Sequence, residues 1–260
     1  MPQALSMTAH RPAAALLALA TITVPIAACG DDDDSASTAE DVPIDVGDAS
    51  HYAPDVDPAD FVEGIDNPYL PLAEGSRWTY ESETEDGLER IEVEVTDEGR
   101  AVMGVDVTVV RDTVTLDGEV IEDTWDWYAQ DTDGNVWYFG EDTKEYDDDG
   151  SVSTAGSWEA GVDGAQPGIV MYAEPQVGQA YRQEYSAGEA EDVAEVVRDA
   201  DAVDVPAGSY DEVLVILEWN PFDPDVLEEK SYAGGIGVVQ EQQVRGGDEV
   251  VELVEYTVAG

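Results

Sequence analysis

The chain has 260 residues, of which 61 are Asp or Glu and only 10 are Lys or Arg, so its formal net charge at pH 7 is −51. This balance excludes nucleic acid as a ligand, because a phosphate backbone is bound by clustered basic side chains. It also excludes electrostatic attraction to anionic lipid. With 43% apolar residues, the chain can still build a hydrophobic core for one large domain or two small ones.

The acidic residues are spread over the whole chain after residue 28, and Lys144 and Lys230 are its only lysines. We interpret the acids as a solvated surface that keeps the protein soluble in strong salt, where self-repulsion is screened. This composition is typical of a salt-tolerant source. Cation capture is the alternative interpretation.

Residues 1–28 predict an export signal. His10 and Arg11 form a short polar start, an apolar run follows over residues 12–26, and Ala27 and Ala28 end the segment. The apolar run is shorter than the ~20 residues that a helix needs to span a bilayer.

Cys29 is the only cysteine of the chain, and it directly follows Ile26, Ala27 and Ala28. This sequence resembles the lipobox of bacterial lipoproteins. The resemblance implies cleavage before Cys29, a diacylglyceryl group on its sulfur and attachment to the outer face of a cell membrane. The alternative is an ordinary secretory signal with a chance cysteine at its cleavage site. A single cysteine also excludes an intrachain disulfide and a Cys-based metal site.

Residues 29–60 predict a disordered acidic tether. They contain the run Asp31, Asp32, Asp33 and Asp34 and remain rich in Asp, Pro and Ala. Such a segment has little apolar surface to bury, and its charges repel one another. We expect the tether to hold the folded part away from the bilayer.

Alternation of apolar and polar residues with a period of two dominates residues 61–260 and predicts an antiparallel β-domain. Ile91, Val93 and Val95 form one such face. Predicted strands cover residues 77–81, 88–96, 105–116, 120–130, 136–140, 180–185, 190–198, 210–219, 226–232, 238–244 and 250–258. Residues 157–177 predict a long loop or crossover, because Gly and Pro interrupt them. We therefore expect an all-β fold of about ten antiparallel strands, either a sandwich or a curved, partly closed barrel.

Three segments, residues 127–130, 134–141 and 232–239, resemble segments of uncharacterised all-β surface lipoproteins of bacteria. The last segment is also similar to the closing strands of half-barrel envelope proteins of the LolA/LppX type, which carry lipids or lipoproteins. This second resemblance implies a concave apolar face if the sheet curls.

The sequence contains no catalytic signature. His51 is the only histidine after the export signal and lies in the predicted tether, so a Ser-His pair on the folded domain is excluded. Histidine pairs for zinc and a phosphate-binding glycine loop are also missing. We predict no catalytic residues, no cofactor and no dedicated metal site. The acidic turns at residues 131–135 and 147–150 do not match an EF-hand and predict at most adventitious calcium binding.

The most distinctive side chains are aromatic. Trp125 and Trp127 lie on one arm of a predicted hairpin, and Trp137 and Phe139 lie on the other. Cross-strand aromatic pairs are common in cores, and aromatic side chains also line ligand pockets. If the domain has a ligand-binding surface, we place it at these four residues.

These features favour a membrane-anchored extracytoplasmic lipoprotein that is not an enzyme. Its β-domain would bind or carry a protein, a glycan or an apolar molecule at the cell envelope. The alternative is a carboxylate-dependent extracellular hydrolase that acts on a polymer. Such a hydrolase requires two carboxylates about 5–10 Å apart at the base of a cleft.

Overall fold

A computed structural model describes residues 43–147 and 149–259, with the side chains of Ala200 and Asp201 left out. The predicted export signal, Cys29 and residues 29–42 of the predicted tether lie outside this part of the chain. Within it, no helix has the length and apolar character needed to cross a membrane.

The regular structure of the described residues is almost entirely β, in one sheet of seventeen strands. The short 3-10 helices η1 (Ala49–His51) and η2 (Pro58–Asp60) precede the sheet. The strands are β1 (Phe61–Val62), β2 (Arg77–Thr84), β3 (Gly87–Val95), β4 (Arg100–Val102), β5 (Val105–Leu116), β6 (Glu119–Asp131), β7 (Val136–Tyr146), β8 (Val152–Ser153), β9 (Trp158–Glu159), β10 (Gln166–Met171), β11 (Ala180–Arg182), β12 (Glu184–Tyr185), β13 (Val193–Val205), β14 (Gly208–Trp219), β15 (Leu227–Ala233), β16 (Gly237–Arg245) and β17 (Val250–Thr257).

The long strands form an up-and-down antiparallel barrel that is nearly closed. Each pairs with its neighbour along the chain from β2 through β7, and again from β13 through β17. The last strand returns to the first, with Leu253 of β17 opposite Tyr80 of β2. Closure satisfies the sheet edges that an open sheet would leave unpaired. The predicted all-β antiparallel class is confirmed, in its barrel form.

The seam of the barrel, formed by β10, β11 and β12, includes residues that the sequence predicts to be a loop. The prediction of a loop or crossover at residues 157–177 was therefore wrong. Strand β10 pairs with β7, with Ile169 opposite Trp137, and it also pairs with β12. Strand β11 then pairs with β13. Gly168 permits this approach, because a Cβ there would overlap the backbone of Gln183. The strand count also exceeds ten, since strands of two or three residues show no readable period.

The barrel is filled by its own side chains. The predicted face of Ile91, Val93 and Val95 is buried, with each side chain at most 1% exposed. The rings of Tyr128 and Tyr138 stack inside the barrel with centroids 4.9 Å apart. The LolA/LppX resemblance implied a concave apolar face, but the described sheet closes and packs its inward side chains into a core.

Ordered structure begins earlier than the sequence predicts. Ile44 is 1% exposed, and the side chains of Asp48 and Asp57 cap η1 and η2 by accepting backbone N–H groups. Buried apolar area and satisfied backbone groups together hold this segment on the barrel. The predicted disordered tether therefore does not extend over residues 43–60.

Candidate functional site

A groove of about 450 Å³ lies between the segment that precedes β1 and the outer face of three strands. Its lining residues are Val46, Asp48, His51, Tyr52, Pro54, Trp137, Ile169, Tyr172, Ala180, Tyr181 and Arg182. Trp137 points outward because it alternates with Val136 and Tyr138, which are fully buried in the barrel. The groove therefore forms where the N-terminal segment crosses β7, β10 and β11.

Tyr52 fixes the N-terminal wall of the groove. Its hydroxyl donates to the carbonyl oxygen of Pro167 at 3.0 Å, and its ring packs edge-on against Tyr185 with centroids 6.0 Å apart. Burial raises the pKa of Tyr52 to about 12. On the rim, Asp48 accepts from the backbone N–H of Ser50, and this bond lowers the pKa of the Asp48 carboxyl.

The barrel wall of the groove is aromatic and held in place. The indole Nε1 of Trp137 donates to Oδ2 of Asp131 at 2.8 Å, which sets the orientation of the ring. Tyr172 packs edge-on against Tyr181 with centroids 5.0 Å apart. Trp137 and Tyr172 are half-buried, so the groove presents preformed aromatic surface to a ligand.

Arg182 is the one arginine of the groove. Its guanidinium carbon lies 5.6 Å from the ring centre of Tyr52 and 5.4 Å from that of Tyr185, which is within the range of cation–π attraction. Its Nη1 lies 3.5 Å from the carbonyl oxygen of Glu191. Among the described residues, Arg182 makes no ion pair with a carboxylate. Arg182 therefore brings to the groove a positive charge that is not held in an ion pair with a described carboxylate.

The four predicted ligand-binding residues are not brought together. Trp137 lines the groove, whereas Trp125, Trp127 and Phe139 do not. The guanidinium carbon of Arg111 lies 5.2 Å from the Trp125 ring, and that of Arg100 lies 3.6 Å from the Trp127 ring. Phe139 is fully buried and packs against Phe61.

Sequence reasoning missed Tyr52, Tyr172 and Arg182 as parts of the groove. Tyr52 fell in the predicted tether, and Tyr172 fell in the predicted loop. The available signal for Arg182 was chemical, since it is one of only ten basic residues and it follows an aromatic residue on a predicted strand.

A second unusual feature is a set of carboxylic side chains buried inside the barrel. These are Glu89, Asp112, Glu122, Asp126, Glu141, Glu184, Asp192, Glu218 and Glu241, each at most 5% exposed. The interpretation of the acids as a solvated surface is therefore wrong for these residues. A buried carboxylate without compensation is costly, so such groups become neutral or acquire a partner.

Asp126 and Glu141 illustrate the neutral case. The hydroxyl of Tyr138 lies 2.7 Å from Oδ1 of Asp126 and 2.9 Å from Oε2 of Glu141. Because a hydroxyl carries one hydrogen, it donates to one carboxyl, and the other contact is a hydrogen bond only if that carboxyl is protonated. Burial raises the pKa of Asp126 to about 8 and the pKa of Glu141 well above its usual value.

Glu184 and Asp192 form a second buried pair. Trp158 Nε1 donates to Oε2 of Glu184 at 2.8 Å. Burial raises the pKa of Asp192 to about 7, and burial together with the neighbouring Asp192 raises the pKa of Glu184 well above its usual value. Neither residue lines the groove, so this pair belongs to the interior of the barrel.

Lys230 is the paired case. Its Nζ lies 2.8 Å from Oε2 of Glu218 and 3.5 Å from Oε2 of Glu241. The amide of Gln183 also donates to Oε1 of Glu218 at 2.9 Å. These contacts compensate a lysine whose side chain is only 4% exposed.

The acidic turn at residues 131–135 is explained by local hydrogen bonding. Oδ1 of Asp131 accepts from the backbone N–H groups of Asp133 and Asn135, and Oδ2 accepts from the side chains of Asn135 and Trp137. Over residues 43–147 and 149–259, no group of three or more His, Cys, Asp or Glu side chains is arranged to hold a metal ion.

No family model and no curated protein matches the sequence. Among solved structures, the chain is similar to a "putative lipoprotein" from Parabacteroides distasonis. The two share 12% identity with a TM-score of 0.40, over 74% of this chain and 99% of the other. A likeness at this level carries no argument about the function of the chain.

Proposed function

We propose that the protein is a bacterial lipoprotein held on the outer face of a cell membrane, and that its barrel binds a small ligand in the groove. The anchor rests on the sequence, where Cys29 follows an aliphatic residue and two alanines at the end of an apolar run. Two acyl chains on one sulfur provide stable attachment even for a strongly anionic protein.

The observation that carries the binding role is the groove itself. Its volume of about 450 Å³ lies within the range of about 300–1,000 Å³ that small-molecule sites occupy. Its walls combine half-buried aromatic rings with the charged side chains of Arg182 and Asp48, which is the composition of a specific site.

We propose that the domain is not catalytic, because Asp126 and Glu141, two carboxyls with raised pKa values, lie in the packed interior of the barrel. Asp126 is fully buried and Glu141 is 2% exposed, and neither lines the groove. A polymer hydrolase needs its acid and its base at the surface of an open cleft. The hydrolase alternative therefore has less support than ligand binding.

The binding role is tested with N-phenyl-1-naphthylamine, a neutral aromatic probe that fluoresces in apolar surroundings. We expect one molecule to bind per chain of the mature, unacylated protein (residues 29–260 with Cys29→Ser). Trp137→Ala should weaken binding about tenfold, because it removes one wall of the site.

The matched control is Trp219→Ala, which removes a half-buried tryptophan of β14 outside the groove. This variant should bind the probe as the parent does. Binding that ignores Trp137→Ala, or no binding to a folded parent protein, would refute the groove as a ligand site.

A further inference from the structure

We infer that the groove selects a ring-bearing anion, with Arg182 binding the anionic group and Trp137 and Tyr172 contacting the ring. This inference rests on the proposed function and names the ligand class of the same site. It follows from one juxtaposition, that of an arginine without a carboxylate partner and a preformed aromatic wall.

Arg182 differs from most other arginines of the described sheet. Five of the seven arginines on its strands make ion pairs with carboxylates, namely Arg77 with Glu94, Arg90 with Glu81, Arg100 with Glu159, Arg111 with Asp123 and Arg198 with Glu229. Arg245, on β16, also lacks such a pair, but it lies outside the groove and donates to the carbonyl oxygens of Pro224 and Asp225. In a chain with 61 acidic residues, an arginine in a groove that makes no ion pair with an acid is available to an external anion.

The surroundings of Arg182 favour binding of a planar anionic group. Tyr52 and Tyr185 contact the guanidinium as cation–π partners, and these two contacts engage none of its N–H donors. The contact with the Glu191 carbonyl oxygen, at 3.5 Å, engages one of five donors. A guanidinium binds carboxylate, sulfonate or phosphate oxygens through two parallel hydrogen bonds.

The charge of Asp48 determines where in the groove the anion binds. Its carboxylate lies on the rim and accepts from the backbone N–H and the hydroxyl of Ser50 at 2.8 and 2.7 Å. An anion would be repelled at that end and attracted at the Arg182 end. A neutral glycan can also stack on aromatic rings, but it leaves the charge of Arg182 without a counterion.

Two probes that share one ring system test this selection. N-phenyl-1-naphthylamine is neutral, whereas 1-anilinonaphthalene-8-sulfonate carries a sulfonate on the same rings. We measure both dissociation constants with the mature, unacylated chain in strong salt, where the field of the acidic surface is screened. The sulfonate should bind about tenfold more tightly, the lower end of what a hydrogen bond to a charged group contributes.

Arg182→Gln should remove this preference, weakening sulfonate binding about tenfold while the neutral probe changes by less than about twofold. Arg90→Gln, which removes a paired arginine on β3, is the matched control and should change neither constant. If Arg182→Gln does not fold, the ratio of the two constants in the parent protein decides the question.

Equal binding of the two probes to the parent, or a preference that survives Arg182→Gln, overturns the inference. In either case, binding of the neutral probe that depends on Trp137 would still support the proposed function. Failure of both probes to bind the folded parent would overturn both proposals.

Discussion

Asp126 and Glu141 lie opposite each other on β6 and β7, inside the barrel, with the hydroxyl of Tyr138 within 3 Å of both carboxyls. One phenolic hydrogen cannot be donated to two carboxylates at once, so the pair of carboxyls retains a proton at neutral pH. The formal charge of −51 therefore overstates the charge of the folded protein, and proton binding becomes part of its stability.

We predict that the domain becomes less stable as the pH rises from about 4 to about 8. Burial raises the pKa values of Glu122 and Asp192 to about 7 and that of Asp126 to about 8, whereas unfolded carboxyls titrate near 4. Between these limits the folded state holds protons that the unfolded state has released. The free energy of unfolding should fall by about 1.4 kcal/mol per pH unit for each such carboxyl. Urea unfolding in strong salt measures this slope, and a flat or rising profile would contradict the prediction.

Glu141→Gln distinguishes the effect of a buried carboxyl on the pH dependence of stability from the effect of repulsion among surface charges. The amide cannot ionise, so the variant should show a smaller pH slope than the parent while keeping the volume of the side chain. Glu174→Gln changes an exposed carboxyl and should leave the slope unchanged. Equal slopes for Glu141→Gln and the parent would show that this carboxyl is not protonated in the folded state.

Lys230→Met should destabilise the barrel by about 3–5 kcal/mol, because it leaves the buried Glu218 without its cation. Lys144→Met is the control, since the Lys144 side chain is 40% exposed and its nearest carboxylate oxygen, on Asp142, is 3.8 Å away. The control should cost no more than about 0.5 kcal/mol. Urea midpoints for the two variants check the difference, and a mild effect of Lys230→Met would show that Glu218 is neutral without it.

Gly168→Ala should destabilise the barrel by about 3 kcal/mol, the upper end of overpacking costs, because the added Cβ would overlap the backbone of Gln183 at the seam. Gly234→Ala is matched to it, since a Cβ there meets open space and should change stability by no more than about 0.5 kcal/mol. Thermal unfolding compares the two. Equal melting temperatures of the two variants would show that the backbone of Gln183 does not approach Gly168 this closely.

The period-two alternation of apolar and polar residues was sufficient to predict most of the long strands of the sheet. Strand β5 has the predicted bounds, and the Asp117-Gly118 turn joins it to β6. The burial of some acids also has a signal in the sequence, since Asp112 lies on the same face as Val110 and Val114, which are fully buried. This signal is weak, because acids are abundant throughout the chain.

The groove could not be predicted from periodicity, because it depends on tertiary contacts. Trp137 was identified by its residue type, but its neighbours Tyr52 and Arg182 come from segments far away in the sequence. The closure of β17 on β2 and the packing of residues 43–60 on the barrel likewise depend on contacts that no local pattern encodes.

Attachment through Cys29 is tested most directly by mass spectrometry of the N-terminal peptide of the protein purified from membranes. We predict a chain that begins at Cys29 and carries a diacylglyceryl group on its sulfur. An unmodified Cys29, or a chain that still begins at Met1, would contradict the lipid anchor.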